Sequence, residues 1–255
     1  MLTQTFIHLP AVGPKTEARL WQAGLHDWQA ALAAPRAPGI GQRRWENLRR
    51  ELEQDARFLQ SKEYRHFAQK LARRYHWRAW PDFRRAAAYL DIETTGLSYY
   101  AQVTVVGVYD GVRVHTFVHG DNLDLLPEFL EQFALLVTFN GATFDLPFLR
   151  RRFPGLPLDQ LHVDLRYLLR HLGLRGGLKS IEARMGLRRA EDLQGLDGFD
   201  AVRLWEDYRR RGDEEALDLL IRYNAADVEN LEPLAEYAYT ELWRRCRGRQ
   251  AAAGR

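Results

Sequence analysis

Apolar positions recur along this chain in two rhythms, and the change between them falls near Pro81. Before it the period is helical. Trp45, Leu48 and Leu52, then Tyr64, Phe67, Leu71 and Tyr75, follow one another at steps of three or four, which predicts helix from Arg43 to about Trp77. Farther upstream, residues 5–34 predict a helix from about Pro14 to Ala23, a stop at Gly24 and a second helix from about Asp27. Residues 33–41, AAPRAPGIG, predict a linker.

After Pro81 three β-rich runs follow in succession: RAAAYLDIE, QVTVVGVYD and VRVHTFVHG. The last two meet at the turn dipeptide Asp110-Gly111, so three adjacent antiparallel strands are expected. LDLLPEFLEQF predicts a helix, ALLVTFN a fourth strand, and FDLPFLRRRF a helix after a short GAT loop. The remainder, including LHVDLRYLLRHL, KSIEARMGL, DAVRLWEDYRR and the long stretch from Glu214, predicts mostly helix. Strands first and helices after, with one strand between helices, describe an α/β layer fold with a mixed sheet. The expected divisions are 1–34, 35–80 and 81–255. No internal repeat is present, and low complexity is confined to the AAAGR tail.

Composition adds bounds. With 46% hydrophobic residues in 255, a sizeable core is expected. The opening residues lack the charge and apolar stretch of a secretory leader, and no apolar run approaches the roughly 18 residues of a membrane span, so the cytoplasm is the expected location. The lone Cys246 excludes an intrachain disulfide and a cysteine-based zinc or redox site. Charge is divided unevenly. Residues 1–80 carry fourteen Lys/Arg against seven Asp/Glu, whereas residues 81–255 carry 23 against 27. A basic front and an acidic back suggest one part that holds a polyanion and another that needs clustered carboxylates.

Those carboxylates have a pattern. In YLDIETTGL, Asp91 and Glu93 stand two apart on a predicted strand and therefore project from one face. The apolar run before them marks a central strand, on which two acids repel unless a cation neutralises them. In RYNAADVENL, Tyr223 and Asp227 are four apart on a predicted helix and share a side. In VTFNGATFDLPFL, Asn140 ends a strand and Asp145 opens the next helix. Carboxylate oxygens suit Mg²⁺ or Mn²⁺, and two such ions about 4 Å apart can clamp the attacking and leaving oxygens of a phosphodiester.

Together these motifs resemble the DEDD exonucleases of the ribonuclease H-like superfamily, in the subgroup with tyrosine in its last motif. Asp91-Ile-Glu93-Thr94-Thr95-Gly96-Leu97 is similar to the first motif. Asn140 through Asp145 with the following Leu-Pro-Phe-Leu is similar to the second, and Tyr223-Asn-Ala-Ala-Asp227 to the third. The likeness covers roughly residues 85–240. It implies a ribonuclease H-like mixed β-sheet flanked by helices and two divalent cations, with Asp91, Glu93 and Asp227 on the first and Asp145 helping Asp91 on the second. It also implies that Tyr223 orients the attacking water, that Thr94 and Leu97 contact the terminal nucleotide, and that Asn140 contacts the sugar–phosphate. Such enzymes remove nucleotides from 3′ ends of DNA or RNA. The short helical N-terminal region before WRAWPDF and LDIETTGL further resembles the bacterial YprB-type ribonuclease H-like proteins.

Other features are weaker. LPAVGPKTEARL resembles a helix-hairpin-helix element, with Gly13 and Lys15 toward a phosphate, although Ala11 stands where the first glycine is usual. A small structural hairpin explains the same residues equally well. LARRYHWRAW interleaves aromatics with Arg73, Arg74 and Arg78, which are assigned to phosphate contact, while the tryptophans are assigned to packing. The runs Arg150–Arg152 and Arg209–Arg211 read as solvated helical faces, and Asp164 as a helix cap or structural acid. The expected activity is a metal-dependent 3′→5′ exonuclease acting on a single-stranded 3′ end. A structure-selective endonuclease and a non-catalytic nucleic-acid-binding module are its alternatives.

Overall fold

The computed structural model describes residues 1–252, with side chains of residues 1–248; the last three positions of the AAAGR tail, which close the expected 81–255 segment, lie outside the described residues. The chain divides into two compact units. One comprises Met1–Arg84, Asp159–Val163 and the end of the chain from Glu241; the other comprises Arg85–Leu158 and Asp164–Thr240.

The first unit is helical. Helix α1 (Pro14–Gln22) starts on Gly13 with Pro14 in its first turn, where the missing N–H costs nothing. Helix α2 (Trp28–Ala33) is capped by Asp27, whose carboxylate accepts the Ala30 N–H at 2.8 Å. Helix α3 (Gln42–Gln60) and helix α4 (Tyr64–Lys70) interrupt the single helix expected from Arg43 to Trp77. The break is local chemistry. Lys62 takes a left-handed φ of 58°, and the Glu63 N–H turns back to the Phe58 carbonyl at 2.9 Å, closing α3 as a Schellman turn without glycine. Residues Arg73–Ala79 form a 3-10 stretch rather than α-helix, and Pro81 lies in the first turn of the short helix α5 (Trp80–Phe83) instead of ending the region. Phe6, Trp21, Trp28, Trp45, Phe67 and Phe83 fill the unit's core.

Arg78 does not take its expected place. It is not a surface phosphate ligand: it is 3% exposed, it holds both oxygens of buried Glu17 at 2.7 and 2.8 Å, and the rings of Trp21, Tyr75, Trp77 and Trp243 surround its guanidinium. A basic residue amid aromatics can equally be a caged core cation, and here the buried carboxylate of Glu17 decides it. Arg73 and Arg74 are exposed, as is Lys15, and Trp77 and Trp80 are buried in packing. Ala11 adopts φ 54°, so the backbone turn that glycine would make freely is made by alanine under strain.

The second unit carries a mixed sheet. Strands β1 (Ala87–Thr94), β2 (Val103–Tyr109) and β3 (Val114–Val118) run antiparallel in sequence, and β4 (Leu135–Thr138) lies parallel to β1 on its other side. A fifth strand, β5 (Leu161–Asp164), of which Leu161–Val163 are counted with the first unit, gives the order β3-β2-β1-β4-β5. That strand falls in a stretch expected to be helical. The helices are α6 (Leu126–Leu130), α7 (Asp145–Arg152), α8 (Leu165–His171), α9 (Leu178–Met185), α10 (Gly198–Arg211), α11 (Glu214–Glu229) and α12 (Leu231–Ala252). Among the described residues, no helix is long and apolar enough to cross a membrane.

Alternation along the strands sorts the residues between two faces. Ala88, Leu90, Ile92, Val106 and Val108 join Leu126, Leu130, Leu146 and Leu149 in one apolar cluster. Val105 and Val118 join Trp205, Leu220 and Tyr223 in the other, beneath α10 and α11. With a side-chain period of two, Asp91 and Glu93 must stand on the second face. The β1–β2 register shifts only after them, by a bulge between Glu93 and Thr94.

Candidate active site

Three elements of the second unit bring the acids together. Strand β1 supplies Asp91 and Glu93, the start of α7 supplies Asp145, and α11 supplies Tyr223 and Asp227. Carboxylate oxygens of Asp91, Glu93 and Asp227 lie within 4.8 Å of one another. Asp145 stands beside this trio, near enough that its charge acts on Asp91. Glu93, Asp145 and Asp227 are buried, and Asp91 is partly so.

The close approach of α11 depends on a glycine. Gly107 on β2 is in register with Asp91, and a Cβ at this position would fall 2.1 Å from Asn224 Oδ1. With no side chain there, Asn224 reaches across and donates its amide to Asp91 Oδ2 at 3.0 Å. The i, i+3 and i, i+4 steps from Asn224 and Tyr223 then carry Asp227 to the same place.

The loop before α7 is fixed differently. Asn140 sits at φ 70°, a left-handed conformation that asparagine tolerates, and Asp164 fastens the loop by accepting the N–H groups of Asn140 at 2.9 Å and Ala142 at 3.0 Å. The same carboxylate accepts the Arg166 N–H at 3.1 Å and so caps α8. Asp164 is thus both the structural acid and the helix cap that its place in the sequence suggested.

Burial and crowding dominate the electrostatics. Burial first, and then Asp145, Asp227 and Glu93, push the Asp91 carboxyl well above the usual range. Burial and Asp227 raise Glu93 to about 8, and burial raises Asp145 to about 7 against hydrogen bonds from its own N–H and that of Ile92. Asp227 is raised by burial, although Arg189 opposes the shift. Like-charged buried acids of this kind ionise together only when a cation accompanies them. Asp145 Oδ1 has no hydrogen-bond partner among the described residues despite its burial, and the ligand atoms are all hard oxygens, so the set fits a divalent cation such as Mg²⁺ or Mn²⁺.

Three side chains that the motifs do not mark complete the surroundings. Lys179, at the start of α9, contacts the Tyr223 hydroxyl, and Arg189 joins Asp227 to Glu182. Glu182 is also held by Asn230 at 3.0 Å. Lys179 and Glu182 have the i, i+3 spacing of one helical side, which is a faint signal; Arg189 lies in a loop and gives none. Tyr223 is 4% exposed, and burial with the carboxylates of Asp227, Glu93 and Asp91 holds it as a neutral phenol.

The remaining expected contacts fall out unevenly. Thr94 is buried, with its hydroxyl donated to the Gly96 carbonyl at 2.7 Å, whereas Leu97 is 80% exposed on the loop that follows. The amide oxygen of Asn140 accepts from Thr143 at 2.9 Å and Arg166 at 2.7 Å. Gly13, Lys15, Arg73 and Arg74 belong to the first unit.

A mixed sheet with paired acids on its central strand and a helix-borne acid above them defines a ribonuclease H-like α/β protein. The family model of the RNase H superfamily matches residues 88–239, and the chain belongs to that family. Membership supports a nuclease, and with it a nucleic-acid substrate. No curated protein matches the chain. Among solved structures, the family B DNA polymerase from the hyperthermophilic archaeon Pyrobaculum calidifontis is similar over 59% of this chain, at 19% identity and a TM-score of 0.49. The likeness spans 24% of the polymerase chain.

Proposed function

We propose that the protein is a two-metal-ion nuclease that hydrolyses phosphodiester bonds of DNA or RNA, removing nucleotides from a single-stranded 3′ end. The observation that carries this reading is the convergence of Asp91, Glu93 and Asp227 within 4.8 Å, with buried Asp145 beside them. Asp91, Glu93 and Asp227 would hold one cation, and Asp91 with Asp145 a second. When bound, the cations lower the pKa of a water to about 7 and offset charge on the leaving oxygen.

The chain's own groups supply orientation. Tyr223, a neutral phenol against Lys179, can accept or donate a single hydrogen bond and so aim a water without taking its proton. Asn224 fixes the rotamer of Asp91. Exposed Leu97 would wedge against a terminal base, and Thr94, bonded to the Gly96 carbonyl, would shape the loop that carries it. Exposed Lys15, Arg73 and Arg74 on the first unit, with the Gly13 turn, offer sequence-independent phosphate contacts.

The test is a panel of 5′- and 3′-labelled DNA and RNA strands with Mg²⁺ or Mn²⁺, run beside Asp91→Asn and Asp227→Asn. A ladder shortening from the 3′ end in the wild type and missing from both variants is expected. Equal activity in wild type and variants would refute catalysis by this cluster, and cleavage of circular single strands would transfer the reading to an endonuclease.

A further inference from the structure

We infer that a basic cavity beside Asn140 grips an internal phosphodiester of the substrate strand, outside the bond being cut. The inference rests on the reading of the acid cluster as a nuclease centre. The cavity has a volume of about 490 Å³ and is lined by Phe139, Asn140, Arg166, Arg170, Arg175 and Gly177, among others. Three of its lining residues are arginines and none is acidic.

The state of those arginines is informative. Some exposed guanidinium groups of this unit are tied to carboxylates, as in Arg203–Asp200 and Arg222–Asp218. Arg170 and Arg175 are exposed and make no ion pair among the described residues, and the Arg166 guanidinium bonds the neutral amide oxygen of Asn140. Arg166 and Arg170 are one turn apart on α8, so they present to the same side. Arg170 and Arg175 thus leave charge without an ion-paired partner in a concave surface, a setting that attracts an anion.

Helix α9 adds to the field. Its eight residues begin after Gly177, whose lack of a side chain leaves the N-terminus without a side-chain cap, and the positive end of the helix opens at the cavity lining. Gly176, at φ 123°, leaves the backbone bare there. Guanidinium forks and backbone N–H groups together match phosphate oxygens bidentately. Phe139 and Leu174 supply apolar wall for a sugar.

Chain connectivity favours a polymer over a free anion. The cavity's Asn140 leads within five residues to Asp145, and its Gly177 leads within two to Lys179 on Tyr223. A site joined on both sides to the chemistry suits a phosphate that belongs to the same strand as the scissile one.

The decisive variant is Arg170→Glu/Arg175→Glu, at two exposed positions, with folding checked by Tm. Binding of a labelled strand of about eight nucleotides is measured in EDTA across a salt series. Each lost phosphate contact lowers the slope of log K against log salt by about 0.7, so a decrease of about 0.7 is expected for the one phosphodiester. With metal ions, KM for the same strand rises at least tenfold with kcat held, while a minimal nitrophenyl phosphodiester is cleaved equally by both proteins. An unchanged salt slope and KM would overturn the inference. So would a deficit confined to strands bearing a 5′-phosphate or to mononucleotides, which would reassign the cavity to a strand end or a free nucleotide. If the wild type cleaves nothing while the slope still falls, the nuclease reading fails and the phosphate site stands.

Discussion

Asn224 donates to Asp91 Oδ2 at 3.0 Å because Gly107, directly opposite Asp91 on the neighbouring strand, leaves room for it. Gly107→Ala would place a methyl group 2.1 Å from Asn224 Oδ1 and 3.3 Å from Val228 Cγ1. Overpacking of this kind costs about 1–3 kcal/mol. The expected outcome is a lower Tm together with a lower kcat, since α11 cannot retreat without carrying Tyr223 and Asp227 away from β1. A kcat equal to wild type at matched stability would show that the approach of α11 is unimportant.

Stability should depend on pH and cation together. Without a cation, Asp91 is raised well above the usual carboxylate range, Glu93 lies at about 8 and Asp145 at about 7. These groups bind more protons in the folded chain than in the unfolded one, so stability falls as pH rises through the interval from their unfolded values to about 8. A divalent cation takes the place of those protons. Differential scanning fluorimetry should therefore show Mg²⁺ or Mn²⁺ raising Tm over an EDTA control by more at about pH 8 than at about pH 5. In Asp91→Asn the cation effect should shrink.

Asp164→Ala removes the acceptor for the N–H groups of Asn140, Ala142 and Arg166. Unsatisfied donors of this kind cost roughly 1–3 kcal/mol. Hydrogen exchange should quicken at Asn140 and Ala142, and kcat should fall through misplacement of Asp145. Protection unchanged at those two amides would refute the fastening role.

Arg78→Ala strands the buried carboxylate of Glu17, a loss of about 3–5 kcal/mol for a broken internal pair. Chemical denaturation should show it directly. Arg74→Ala, at an exposed residue lying over Tyr75, should leave the denaturation midpoint in place and weaken nucleic-acid binding instead. A stable Arg78→Ala protein would contradict the caged ion pair.

Sequence periodicity carried the first four strands because their apolar runs pack against two apolar clusters and β2 and β3 meet at the Asp110-Gly111 turn. Strand β5 was hidden: LHVD runs into α8 with no turn residue between, and Asp164 both ends the strand and caps the helix. The break at Lys62 was equally silent, since apolar spacing continues from α3 into α4 while the turn is made by backbone bonds to Phe58 and Leu59. The acids were legible from short-range spacing, which a strand and a helix preserve. Lys179 and Arg189 were not, because only the fold brings positions 179 and 189 to Tyr223 and Asp227. Arg78 misled for a related reason: its partner Glu17 is 61 residues away.

The two-residue step between Asp91 and Glu93 has a consequence for how the chain finds its structure. A slip of β1 by one position would drive both carboxylates into the cluster of Leu90, Ile92, Val106 and Leu146 and turn Leu90 and Ile92 onto the face beneath α11 that holds Asp227. Misregistered pairings of the central strand are thereby penalised during folding, before any ion or substrate is present. The acids mark the one alignment in which the strand can be buried.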